Sequence, residues 1–226
     1  MSETTQIVLE ALVDDAERPA LIVAAELLSE SLGQASGGPA WSVRLGLHAP
    51  GAGLGADTGP TAVIVSLLPE VASLGEPIAE TEARWRVYLG GLLAAGVPVL
   101  VCTVFRHVAG RPAAGAPSPV VERIRRLDRM VVDLSHEFGV GVIDIDRAFA
   151  HIGGRTLQTD YRLAGVLAAE VAGHAIAWSL LSFGLDEAVD PDLQEKAKAF
   201  LGGLPQIDAL VGRRLTQRRA AQAARG

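Results

Sequence analysis

A chain of 226 residues, 49% hydrophobic and 20% charged, is long enough for one α/β domain with a full core and a modest extension, and too short for two complete domains. Only 4% of it is aromatic, so the core has to be built from Val, Leu, Ile and Ala. The formal net charge of -6 speaks against a general nucleic-acid binder, although the final "RRLTQRRAAQAAR" is locally basic and reads as a solvated helical tail.

The lone Cys102 excludes an internal disulfide framework and a zinc site of several cysteines, and it suits a reducing cytoplasm. The opening "MSETTQIVLEALVDD" has no basic region followed by an apolar core and a cleavage site. No uninterrupted apolar run approaches the ~18 residues of a membrane span. A cytoplasmic location without a membrane partner is the expectation.

Apolar runs and helical patterns then alternate, as in a parallel sheet covered on both faces. "QIVLEALV" reads as the first strand. A helix follows over "RPALIVAAELLSESLG", with Pro19 near its start and Gly33 as its stop. "WSVRLGLHA" is a second strand by alternation, "PGAGLGADTGP" a glycine-rich loop, and "TAVIVSLLP" a buried third strand. The helix "ETEARWRVYLGGLLAAG" ends at Gly96, and "VPVLVCTVF" is the fourth strand.

"RHVAGRPAAGAPSP" is a Pro/Gly/Ala loop at the sheet edge, and Ser118-Pro119 opens a long helix closed by Gly139. "VGVIDID" is the last strand. Asp160 lies in the following loop, before a nearly apolar helix from about Leu163 to Leu181, which should be deeply buried. Residues 1–185 therefore form the domain, and 186–226 read as a charged, Ala-rich helical extension, a candidate docking arm for a homo-oligomer.

This element order resembles the SGNH/GDSL hydrolases. The resemblance spans roughly Gln6 to Leu185 and implies a three-layer α/β/α sandwich with a parallel five-stranded sheet of flavodoxin-like type. Active members carry a Gly-Asp-Ser motif after the first strand, oxyanion donors from a glycine after the second and an asparagine after the third, and Asp-x-x-His before the final helix. Here "LVDDAERP" puts Asp14 and Asp15 at the first block, with no serine. Gly51 or Gly53 fits the glycine block, and "SLLPEVA" offers Pro69 and Glu70 in place of the asparagine block. "TDYRL" supplies Asp160 but reads Leu163 at the histidine position.

An alkyl hydroxyl needs a base within hydrogen-bond reach and a group to orient that base, and leucine cannot hold a proton. A histidine recruited from elsewhere would have to serve. His48, after the second strand, and His107, past the fourth, are the candidates to join Asp160, each weighed against a plain surface-loop histidine. His136 suits a helix C-terminus, His174 a buried hydrogen bond, and His151 has no identified partner.

Asp14, Asp15, Glu70 and Asp160 form a second candidate set at the same edge. They could hold a hard cation or act as acid and base, or simply cap helices. Arg106 and Arg162 could grip a carboxylate or phosphate, or pair with those aspartates. "GAGLGA" fits a dinucleotide fingerprint in spacing only, because "DTGPT" breaks the helix that should follow, so no cofactor is expected. Ser66 and Cys102 read as core side chains. The expectation is a catalytically degenerate protein of this type, binding a small polar or anionic ligand or a protein partner at the strand C-terminal edge. The alternative is an active esterase or acyltransferase with relocated catalytic residues.

Overall fold

The computed structural model describes residues 5–38, 41–54, 59–108 and 118–223. Five strands, β1 (Thr5–Leu12), β2 (Trp41–His48), β3 (Ala62–Ser66), β4 (Val99–Cys102) and β5 (Gly141–Ile143), form one parallel sheet in the order β2-β1-β3-β4-β5. β3 and β4 are buried at every position, as their unbroken apolar text requires of central strands covered on both faces.

Among the described residues eight helices surround them: α1 (Arg18–Ser36), α2 (Ile78–Leu93), α3 (Pro119–Phe138), α4 (Ile145–Ile152), α5 (Gly154–Leu157), α6 (Val166–Phe183), α7 (Pro191–Leu201) and α8 (Leu204–Ala223). Strand alternation divides the core in two. Leu9, Ala11 and Ile64 pack with α1, α4 and α6, while Leu12, Val63 and Val65 pack with α2 and α3. The result is a three-layer α/β/α sandwich, as the resemblance implied.

Some boundaries move for local reasons. α1 runs through Gly33 to Ser36, because Gly37 at φ +75° supplies the left-handed cap and the amides of Gly37 and Gly38 satisfy the carbonyls of Gln34 and Gly33. The last strand stops at Ile143, since the Asp144 carboxylate accepts the Arg147 amide and caps α4, a helix absent from the sequence reading. The predicted loop 106–119 lies mostly outside the described residues, as does the end of the glycine-rich loop at 55–58.

α6 is long and apolar enough to cross a membrane by length and composition, and 67% of it is buried inside the protein. It lies against α1 at Gly173, where an added Cβ would stand 2.7 Å from the Val23 Cβ and 2.8 Å from the Ala20 carbonyl oxygen. Gly173→Val is therefore expected to force the two helices apart and cost about 3 kcal/mol by overpacking. A urea midpoint equal to the wild type's would remove this account.

The segment after Leu185 is helical, as its pattern predicts, and it is packed rather than free. Val189, Ala197, Leu201, Ile207 and Val211 join the apolar cluster of α1 and α6. His174 Nε2 donates to the Gly202 carbonyl at 2.7 Å, and burial holds its pKa below the ordinary histidine value. Arg214 of α8 pairs with Glu170 of α6.

Candidate functional site

In the order β2-β1-β3-β4-β5 the chain reverses its winding between β1 and β3, so the crevice beyond their C-terminal ends is where this class of sheet takes ligands. Here a side chain fills it. After β1 the chain makes a tight turn in which Asp14 Oδ1 accepts the Ala16 amide at 3.0 Å and the Glu17 amide donates to the Asp14 carbonyl at 3.0 Å. Glu17, 6% exposed, turns inward; its Oε2 accepts the Asp14 amide at 3.1 Å and its Oε1 accepts the Ser66 hydroxyl at 2.5 Å.

Ser66 Oγ in turn accepts the Leu68 amide at 3.0 Å, which starts a 3-10 turn over Leu68–Ala72. Burial pushes the Glu17 carboxyl up to about 7, against the lowering effect of its two hydrogen bonds. Cys102 lies opposite Ser66 in the sheet register, and burial, followed by the nearby Glu17 carboxyl, drives its thiol well above the usual value. The crevice thus holds a neutral thiol and a hydroxyl already engaged, not an activated nucleophile.

The remaining candidates are dispersed among separate pairings. His48 Nε2 meets Glu10 Oε2 at 2.5 Å; Glu10 is 1% exposed in the middle of β1, and Arg44 approaches its other oxygen at 3.9 Å. By alternation His48 faces the sheet surface on the Leu12 side, where Glu10 receives it. His107 stacks on Phe105 and packs against Gly154, while its carbonyl accepts the Tyr161 amide at 2.8 Å.

Asp160 is bonded by Arg162, through the backbone amide to Oδ1 at 3.0 Å and the guanidinium to Oδ2 at 3.3 Å. Leu163, at φ +56° and 7% exposed, buries its side chain in the α1/α6 core. α6 starts only at Val166, after Gly165, so Asp160 organises a turn and does not cap that helix.

Asp15 pairs with Arg18 at 2.8 Å on the surface. Glu70 is tied to α2, accepting from Trp85 Nε1 at 3.0 Å and Arg84 at 2.6 Å. Gly51, at φ +76°, turns the chain after β2, and Gly53 has open space around its Cα. Among the described residues no group of three His, Cys, Asp or Glu side chains is placed to hold a metal ion, so the carboxylate set does not converge there.

A polar cleft of about 520 Å³ does exist beyond the ends of β4 and β5, lined by Arg106, Asp144, Asp146, Arg147, Ala150, His151 and Leu204. Arg106 is fixed by Asp146, through its amide at 2.8 Å and its Nε at 2.6 Å. His151 pairs with Asp208 of α8 at 2.8 Å. The Arg147 guanidinium has no hydrogen bond or ion pair among the described residues, so it is a cation available to a ligand. Behind this wall Asp128 of α3 accepts the Val104 amide at 2.9 Å, and burial pushes its carboxyl up to about 7.

Glu17, Asp128, Asp146 and Arg147 were not among the candidates read from the sequence. Glu17 had a usable signal: Asp14 and Glu17 stand three apart just before Pro19, the spacing of a reciprocal cap. Asp128 had none, sitting in an amphipathic helix like any exposed acid.

No family model matches the chain, and no curated protein matches it in sequence. Solved structures match in fold. A catalytic mutant of an acetylxylan esterase from Geobacillus stearothermophilus is 13% identical with a TM-score of 0.58, over 80% of this chain and 96% of that one. A lipase/acylhydrolase from Enterococcus faecalis is 18% identical with a TM-score of 0.55, over 77% and 95%. A candidate GDSL-like lipase from Parabacteroides merdae is 12% identical with a TM-score of 0.58, over 78% and 96%.

The fold is that of the SGNH/GDSL hydrolases.

Proposed function

We propose that this chain is a non-hydrolytic protein on the SGNH fold that binds a small polar or anionic ligand in the cleft of Arg106, Asp146, Arg147 and His151. The observation that carries this reading is the Asp160 carboxylate. It is bonded by the Arg162 amide and guanidinium, and the buried Leu163 stands where a histidine would be oriented. A carboxylate without its histidine is a poor base for an alcohol. Arg147 supplies the unpaired charge that an anion would meet. The lone free Cys102 fits a cytoplasmic setting.

Purified protein is expected to leave p-nitrophenyl acetate and butyrate at the buffer rate, and Leu163→His is expected not to raise it, because the turn after β1 carries Asp14 and Asp15 and no serine. Millimolar inorganic phosphate or citrate should raise the melting temperature of the wild type and not of Arg147→Ala. Ester turnover through a serine adduct would overturn the first part, and an equal shift in Arg147→Ala the second.

A relocated acyl-transfer site is the second reading, favoured by one contact. Ser66 Oγ lies 2.5 Å from the Glu17 carboxyl, whose pKa near 7 suits a general base. Against it, Ser66 is 4% exposed and already held by the Leu68 amide. Turnover that disappears in Ser66→Ala supports this second reading; turnover unchanged in Ser66→Ala removes it.

A further inference from the structure

β2 is an edge strand. It pairs with β1 along all eight residues, and its outer backbone edge has no strand partner among the described residues. Edge strands of this length are usually blunted by lysine, proline or a bulge. β2 has none of these, and its one cationic side chain, Arg44, faces Glu10 on the other side of the sheet.

Alternation sends Trp41, Val43, Leu45 and Leu47 to the α1 side, where each is only partly buried. With Ile22 of α1, 47% exposed, and Phe200 of α7, 56% exposed, they floor a groove of about 1200 Å³. The groove is apolar along its floor and acidic along one wall. Glu26 and Glu30 of α1 line it, and among the described residues no lysine, arginine or histidine does. Glu30 accepts from Gln34, while Glu26 has no hydrogen bond or ion pair among the described residues.

We propose that this edge and groove form a docking site for an extended, cationic segment of a partner protein. The segment would add as a sixth strand beside β2, with alternate apolar side chains in the groove and lysine or arginine against Glu26 and Glu30. Main-chain pairing supplies affinity in such strand addition, and the alternate side chains supply selectivity. The charge also decides against a second copy of this chain. Antiparallel two-fold pairing of β2 with itself keeps both α1 helices on the same sheet face, so Glu26 and Glu30 would approach their own symmetry mates. A cationic strand meets those carboxylates with complementary charge.

The test uses the full chain and a fluorescein-labelled octapeptide alternating valine and lysine, with a valine–glutamate peptide as control. Saturable anisotropy on the order of micromolar affinity is expected for the lysine peptide alone. Hydrogen exchange should slow at residues 41–48. The Glu26→Lys/Glu30→Lys double variant, with folding checked by circular dichroism, should weaken binding about tenfold or more.

Binding that survives the charge reversal, protection elsewhere than 41–48, or no saturable binding would overturn the proposal. So would a dimer in sedimentation that protects 41–48 without peptide, because the second copy would then be the occupant.

Discussion

Stability is expected to fall as the pH rises from about 5 to about 8.5, by roughly 3 kcal/mol for Glu17 alone. Its carboxyl is pushed by burial from 4.5 up to about 7 in the folded protein. Below the unfolded value both states hold the proton and the contribution is complete. As the pH climbs through the folded value the unfolded chain has already released its proton, and the native state loses ground. Asp128, also pushed up to about 7, adds to the same slope.

His174 works in the opposite sense. Its pKa is lowered by burial, so its contribution is complete above the ordinary histidine value and is lost on acidification. From the ordinary histidine value up to about pH 7.5 the carboxyls therefore dominate. Urea unfolding at several pH values checks this, with Glu17→Gln and Asp128→Asn each expected to flatten the curve. A Glu17→Gln profile as steep as the wild type's between about pH 5 and 7.5 would show that this carboxyl is not held as described.

The largest single loss is expected from Arg123→Met, about 3–5 kcal/mol in urea unfolding at neutral pH. Arg123 of α3 is 4% exposed, and its guanidinium donates to the carbonyls of Glu70 (3.2 Å) and Glu76 (2.9 Å), to the Thr81 hydroxyl (2.7 Å) and to the Glu76 carboxylate (3.3 Å). It thereby locks the 3-10 turn after β3 and the start of α2 onto α3. Methionine keeps the length but leaves that set of acceptors unpaired. Lysine cannot reproduce the planar fork, so Arg123→Lys should recover little. Glu76 is the partner that makes this burial tolerable, its carboxyl held down to about 2 first by Arg84. A loss below about 1 kcal/mol in Arg123→Met would place the latch elsewhere.

The order of strands and helices was readable because it is written in local periodicity. "TAVIVS" and "VPVLVC" are apolar at every position and became central strands, while the stripe from Ile124 to Leu134 placed α3 on the sheet. α4 was missed because Asp144 and Asp146 continue an apparent strand, and only the cap on the Arg147 amide shows that a helix begins there.

The candidate site was legible only as a location. The sequence placed Asp14, Gly51, Glu70, Arg106 and Asp160 near the strand C-terminal ends.

What the sequence could not carry was partner choice. His48 was a candidate for Asp160 by proximity to the sheet edge, yet strand alternation turns it onto the sheet face, where Glu10, 38 residues earlier in the chain but on the neighbouring strand, receives it. Arg106 and Arg162 could each have met a ligand, and the fold gives them Asp146 and Asp160.

The sequence by itself determined the layered α/β architecture, through hydrophobic period and turn residues. Tertiary structure decided that Glu17 plugs the crevice between β1 and β3, that the Arg147 guanidinium has no partner among the described residues, and that β2 lies at the sheet edge beside an acidic groove. The reason is physical: period and capping act over a few residues, whereas burial and ion pairing depend on which distant side chains the sheet register brings within about 3 Å.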